Sequence, residues 1–151
     1  HMIQAAMLAE KAKANDSLIC ACLLHDYGHF LLEDPRELVE KKLDGKHEDI
    51  GYEYLKKFFK EDVVEPIKYH VIAKRYLVRK KKYFNQLSEA SKISLKLQGG
   101  MLNKKESEEF EKNKFFKDTI NLRKFDEFAK KTNIKMKNIS QYEDLLRSKL
   151  L

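Results

Sequence analysis

The sequence predicts an all-α protein built as one bundle of helices. Two observations carry that reading. The 151 residues include only five glycines and two prolines, with 42% hydrophobic and 36% charged side chains, a balance that suits a soluble helical core and leaves few of the turn residues a β sandwich requires. Apolar residues also return at helical spacing in one segment after another. A chain of this length can bury one real core and is too short for two typical domains.

Met2 to Ala14, rich in Ala, Leu and Glu, reads as the first helix, and Asn15-Asp16 can cap the next one. Ser17 to His29 is predicted as a second helix, apolar on all sides and therefore central and covered by its neighbours; Gly28 and the stretch around Glu33-Asp34-Pro35 mark its end. After Gly45 a third helix is predicted from about His47 to Phe59, with Ile50, Tyr54, Leu55 and Phe58 on its inner face. Pro66 suits the first turn of a fourth, which places Ile67, His70, Val71 and Lys74 on turns one above another. Tyr76 to Leu87 reads as a basic, aromatic connection, and Ser88 as the N-cap of a helix through Leu97. Gly99-Gly100 lacks the strand context of a phosphate-binding loop and is read as a turn. A short acidic helix follows, then an amphipathic one within Phe115 to Lys130 carrying Phe116, Ile120, Leu122, Phe125 and Phe128. A last short helix is expected from Tyr142 onward, so that residues 131–151 form a helical tail of the same domain.

Cys20 and Cys22 lie one residue apart in an apolar helical run, so their side chains diverge. Buried packing is the reading for both, since two cysteines without further partners make a poor zinc site. No apolar run is long enough to span a membrane and nothing at the start resembles a signal peptide, which makes the cytoplasm the expected compartment. The formal charge of +7 raises the question of a nucleic-acid partner, and Arg79-Lys80-Lys81-Lys82 followed by Tyr83 and Phe84 is where one would bind. No nucleic-acid motif accompanies the run. It reads as a solvated loop, and the positive field as an attraction for a small anionic substrate.

The chemistry is concentrated in the first half of the chain, which holds all five histidines: His1, His25, His29, His47 and His70. Four of them fall on four different predicted helices, and a bundle can aim such side chains into one shared interior. At the centre is the pair His25-Asp26 at the end of the most apolar helix. Both can reach one ion, and the two oxygens of Asp26 allow it to bridge to a second.

The order His, His-Asp, His, His, Asp along a helical chain resembles the HD-domain superfamily of metal-dependent enzymes. More closely, His1-Met2-Ile3-Gln4-Ala5-Ala6, Leu23-Leu24-His25-Asp26-Tyr27-Gly28-His29, His47-Glu48-Asp49-Ile50-Gly51, His70 to Leu77, Ser94 to Gly100 and Leu122-Arg123-Lys124-Phe125-Asp126 resemble, in order, the motifs of the PhnZ-type phosphonate-cleaving oxygenases. These are mixed-valent diiron enzymes related in mechanism to myo-inositol oxygenase. The similarity spans residues 1–130. It implies an HD-domain bundle with His1, His25 and Asp126 on one iron, His47 and His70 on the other, and Asp26 between them. It further implies an Fe(II)/Fe(III) pair with O2 as co-substrate, and an α-hydroxylated phosphonate such as 2-amino-1-hydroxyethylphosphonate converted to phosphate and a carboxylic acid. His29 corresponds to a histidine that contacts substrate, and Ser91, Ser94 and Gln98 fall near the family's phosphonate-binding segment, with Ser91 and Gln98 assigned to the substrate.

Two cations support this independently. Lys74 follows His70 by one turn and Arg123 precedes Asp126 by three residues, so each shares a helix face with a proposed ligand. Arg offers a phosphonate a planar fork and Lys a mobile point charge. The alternative is an HD-type phosphohydrolase, in which a metal-activated water attacks a phosphate ester and the same cations hold the phosphoryl group. A non-catalytic or nucleic-acid-binding HD module is the third reading. The sequence differs from the family's usual pattern at Tyr27, Leu102, Phe125 and Glu127, and the family's tyrosine and glutamate upstream of the first histidine fall outside this sequence.

Overall fold

A computed structural model describes residues 1–31 and 46–151, and all regular structure among them is helical. The elements are α1 (Met2–Lys11), α2 (Asp16–Leu24), a 3-10 turn (Tyr27–Leu31), α3 (His47–Leu55), α4 (Glu61–Leu77), α5 (Lys81–Gln86), α6 (Glu89–Leu97), α7 (Lys104–Glu111), α8 (Phe116–Phe128), a second 3-10 turn (Ile139–Tyr142) and α9 (Glu143–Ser148). A lone antiparallel bridge ties Phe59 to Leu150.

The bundle is built around α2. Every residue from Ser17 to Leu23 is buried, which accounts for a helix with no polar side. Asn15 caps it by accepting the Leu18 N–H at 2.8 Å. Ala5, Ala6 and Ala9 of α1 have no exposed surface, and their small side chains allow α1 to lie close against α2. Leu122 of α8 and Val63, Val64 and Ile67 of α4 complete the main core. A smaller cluster of Leu77, Val78, Tyr83, Leu87 and Leu95 seats α5 and α6, and Ala73, Leu102 and Phe110 seat α7. The terminal segment is tied to the same core, with Tyr142 buried there, Leu145 and Leu146 packed against it, and the Tyr142 hydroxyl donating to Glu10.

Several elements depart from the sequence expectation. The second helix ends at Leu24 instead of continuing to His29, and the 3-10 turn that follows carries His29. Pro66 is not in the first turn of α4: that helix starts at Glu61, leaving Pro66 inside and buried. Burial of Val63, Val64 and Ile67 extends the helix upstream despite the donor that proline lacks. The inner face of α3 is His47, Gly51 and Leu55, whereas Tyr54 and Phe58 are 40% and 46% exposed. The connection Tyr76 to Leu87 is itself largely helical, and Phe128 is exposed. The stretch around Glu33 to Pro35 and Gly45 lies outside the described residues. Cys20 and Cys22 are buried free thiols, as read. Ser88 caps α6 by accepting from Ser91 N–H, and Gly99 and Gly100 both have positive φ, which suits glycine in the turn that ends it. Among the described residues no helix is long and apolar enough to cross a membrane.

Candidate metal centre and anion pocket

The helices deliver six side chains to one place. His1 stands at the N-terminus of α1, His25 and Asp26 leave the end of α2, His47 opens α3, His70 lies mid-way along α4 and Asp126 on α8. Their donor atoms form two groups, His1 with His25, Asp26 and Asp126, and Asp26 with His47 and His70. Asp26 belongs to both, one oxygen to each: Oδ2 is 3.2 Å from His25 Nε2, and Oδ1 is 3.2 Å from His47 Nε2 and 3.8 Å from His70 Nε2. Asp126 Oδ1 is 2.5 Å from His1 Nε2 and 3.2 Å from His25 Nε2.

The outer ring nitrogens determine which way these histidines face chemically. Nδ1 of His25 contacts the Cys22 carbonyl at 2.7 Å, that of His70 the Ile67 carbonyl at 2.6 Å, and that of His1 the Ala129 carbonyl at 2.8 Å. A carbonyl can only accept, so Nδ1 carries the hydrogen in all three, and in the neutral ring Nε2 turns its lone pair inward. This is the arrangement metal-bound histidines use.

Whether these residues fit a metal can be tested on the unsatisfied atoms. His25 is fully buried, and its Nε2 has no hydrogen-bond partner meeting normal geometry although two carboxylates stand 3.2 Å away. The Nε2 atoms of His47 and His70 converge to 3.0 Å, about the edge of a coordination shell with bonds of roughly 2.1 Å. Buried imidazole and carboxylate donors collected in this way suit a divalent or trivalent cation of the iron, manganese or zinc type. The electrostatics agree. Burial alone would raise the Asp26 and Asp126 carboxyls, but His25 and His47 around the first, and Arg123, His25 and His1 around the second, hold both well below the usual carboxylate range. Burial would lower His25, but the two aspartates reverse this and raise it. The field that favours a proton on its Nε2 favours a metal cation there as well. His70, desolvated and close to His47 and His25, is pushed down to about 3 and stays neutral.

Above the histidines opens a cavity of about 360 Å³, whose opposite wall is cationic. Lys74 donates to Ser94 Oγ at 2.7 Å and Gln98 Oε1 at 3.0 Å. Burial, reinforced by the charge of Arg123, lowers its ammonium to about 8. Arg123 donates to Asp126 Oδ2, to Glu127 and, at 3.0 Å, to the Tyr83 hydroxyl. It therefore orients Asp126, a member of the first donor group, as well as lining the cavity. Ser91 lines the same wall. His29 is at the mouth, exposed, with its ring stacked on His47 at 4.0 Å and its Nε2 4.0 Å from Asp26 Oδ1.

The proposed ligands and substrate residues are thus brought together, all of them lining one cavity except His25, which is buried behind Asp26 and Asp126. Three others at the site were not assigned a role. Tyr83 belongs to the segment read as a basic aromatic loop, but it is buried, and its hydroxyl accepts from Arg123. Glu127, noted as a departure, is buried and accepts from Arg123, Ser91, Lys130 and the Ser88 N–H. Lys130 reaches Ser88 and Ser91. The spacing of Arg123, Glu127 and Lys130 on successive turns was the available signal. Gly28 and Gly51 explain how the two halves of the centre meet. A Cβ on Gly28 would lie 1.9 Å from the His47 carbonyl oxygen, and one on Gly51 3.2 Å from Gly28 N. Only bare backbone lets the turn after Asp26 lie directly on the start of α3.

Known proteins resemble this chain in sequence. The HD domain family matches residues 1–109. The chain is 44% identical over 135 residues to a [1-hydroxy-2-(trimethylamino)ethyl]phosphonate dioxygenase (glycine-betaine-forming) of Leisingera caerulea, covering 89% of this chain and 69% of that protein. It is 42% identical over 153 residues to a hydroxymethylphosphonate dioxygenase of Gimesia maris, covering 98% and 75%. An uncharacterized protein of Acanthamoeba polyphaga mimivirus is 37% identical over 150 residues, covering 97% and 68%. The chain belongs to the HD-domain family and is related, along nearly its whole length, to HD-domain phosphonate dioxygenases.

Proposed function

We propose that this protein is an oxygen-dependent diiron oxygenase that cleaves the carbon–phosphorus bond of a small α-hydroxylated phosphonate, releasing phosphate and a carboxylic acid. The reading rests on one juxtaposition: two donor groups that share Asp26 face a wall bearing Lys74 and Arg123 across a single cavity. The dioxygenase relatives, named for hydroxylated phosphonates, support the oxygenase chemistry over ester hydrolysis. In this reading His1, His25 and Asp126 hold one iron, His47 and His70 the other, and Asp26 bridges them. When bound, the Fe(II)/Fe(III) pair supplies electron transfer toward O2 and Lewis-acid polarisation of the substrate hydroxyl.

The protein's own contribution is placement and charge. Lys74, which donates to the neutral Ser94 and Gln98, meets the phosphonate with a positive charge that no ion pair among the described residues neutralises. The fork of Arg123 is shared with Asp126 and Glu127, so it fixes the anion site relative to the metal site. Ser91 and Gln98 donate hydrogen bonds to phosphonate oxygens, and His29 contacts the substrate at the mouth. The fixed cations neutralise negative charge where phosphate departs.

The test is metal analysis of anaerobically prepared protein followed by phosphate release from 2-amino-1-hydroxyethylphosphonate and hydroxymethylphosphonate. About two irons per chain with strictly oxygen-dependent release is the expected result. Metal-dependent release from phosphate esters without oxygen would overturn it in favour of a phosphohydrolase.

A further inference from the structure

Resting on that reading, we infer that Lys130 is a second phosphonate-binding cation, paired with Lys74 across the serine face of α6. Ser91 and Ser94 on that helix and Gln98 at its C-terminal cap lie between two lysines arriving from different directions. Lys74, from α4, binds Ser94 Oγ and Gln98 Oε1. Lys130, just beyond α8, binds Ser91 Oγ at 3.0 Å and Ser88 Oγ at 3.2 Å. The two serines are linked to each other, with Ser94 Oγ donating to the Ser91 carbonyl at 3.1 Å. Both lysines line the cavity.

Charge accounting indicates why a second lysine is needed. A phosphonate near neutral pH carries between about one and two negative charges, somewhat fewer than a phosphate ester, and both oxyanions need cationic partners. Arg123 is the obvious second cation, but its guanidinium already serves two carboxylates and a phenol, so little of its positive charge is uncompensated. Lys130 is held differently. Its carboxylate partner, Glu127, is 3.3 Å away through either oxygen and is more closely engaged by Arg123. The lysine side chain is 36% exposed, which leaves its flexible stem room to turn. Lys130 therefore exchanges serine hydroxyls for phosphonate oxygens, while Glu127 remains bonded to Arg123. Ser91 lies within reach of both states.

The test is calorimetric titration of hydroxymethylphosphonate and inorganic phosphate into the metal-loaded protein under anaerobic conditions, where no turnover occurs. Lys130→Met is expected to weaken both ligands by about ten- to a hundredfold, the range for losing one hydrogen bond to a charged group. Metal content and melting temperature should stay at the wild-type values, and Lys130→Arg should recover most of the affinity. Wild-type affinity in Lys130→Met, alongside loss in Lys74→Met, would show that Lys130 only partners Glu127 and would overturn this inference while leaving the oxygenase reading intact. Failure of the wild-type protein to bind either anion would overturn both.

Discussion

Replacing Gly28 with alanine tests how the two halves of the metal centre are held together. Gly28 has no need of a special backbone conformation; it is required by space. An added Cβ would be 1.9 Å from the His47 carbonyl oxygen and 2.9 Å from Gly51 N, whereas ordinary contact begins near 3.4 Å, so the turn and α3 must part by about 1.5 Å. Both obstructing atoms are backbone, which no rotamer change can relieve. Such overpacking costs about 1–3 kcal/mol, equivalent to a fall of about 2–12 °C in melting temperature for a domain of this size. The functional effect is sharper. His47 Nε2 is 3.2 Å from Asp26 Oδ1 and 3.0 Å from His70 Nε2, and a metal site tolerates only about 0.2 Å of misplacement. Gly28→Ala should therefore empty the His47–His70 position while the His1–His25–Asp126 position keeps its metal. Elemental analysis with a thermal melt reads both effects. Gly100→Ala is the control: its Cβ meets nothing within 4 Å but its φ is +72°, so it should cost about 1 kcal/mol and leave metal content unchanged. Two metals per chain and an unaltered melt in Gly28→Ala would refute the reasoning.

Three further outcomes follow from the same geometry. Asp26→Ala should lose both metals, since that carboxylate belongs to both donor groups, whereas Lys74→Ala should keep both and weaken phosphonate binding; equal metal loss in the two variants would contradict the assigned roles. Phosphonate affinity should fall as pH rises through about 8, because the Lys74 ammonium, lowered there by burial, gives up its proton and its charge. Over the same interval the unfolded chain still holds that proton, so this residue's contribution to folding stability should rise with pH, and titration calorimetry and denaturant melts across that range should show opposite trends. Gln4→Ala removes the paired contacts between its amide and the Lys131 backbone, at 2.9 and 3.0 Å. Because those contacts clamp the segment whose Ala129 carbonyl orients His1, the variant should lose about 1–3 kcal/mol and bind metal more weakly at the His1 position alone, as read by metal titration.

The all-helical class was legible in the sequence because it rests on local facts, whereas the six-residue donor set was implied by a resemblance running along the whole chain. Helical spacing, the Asn15 and Ser88 caps and the Gly99-Gly100 turn act within a few residues of themselves. His25-Asp26 announces itself as a pair on the most apolar helix. Other features belong to no local stretch. Pro66 within α4 runs against its own propensity and is carried by burial of Val63, Val64 and Ile67. Tyr83 reads as part of a solvated basic run, but its ring packs with Leu77, Val78, Leu87 and Leu95 and its hydroxyl accepts from Arg123, forty positions along the chain.

The sequence by itself determined the chemistry available: imidazoles and carboxylates for a metal, lysine and arginine for an anion, and helices to carry them. Only the tertiary structure decided the contacts between these groups. It gave one Asp26 oxygen to each donor group, brought Gly28 against His47, committed Arg123 to Asp126 and Glu127, and placed Lys130 beside Ser91. The physical reason is that residue type fixes what a side chain can donate, accept or bind, whereas its partners are set by which helices pack together and how closely their backbones approach.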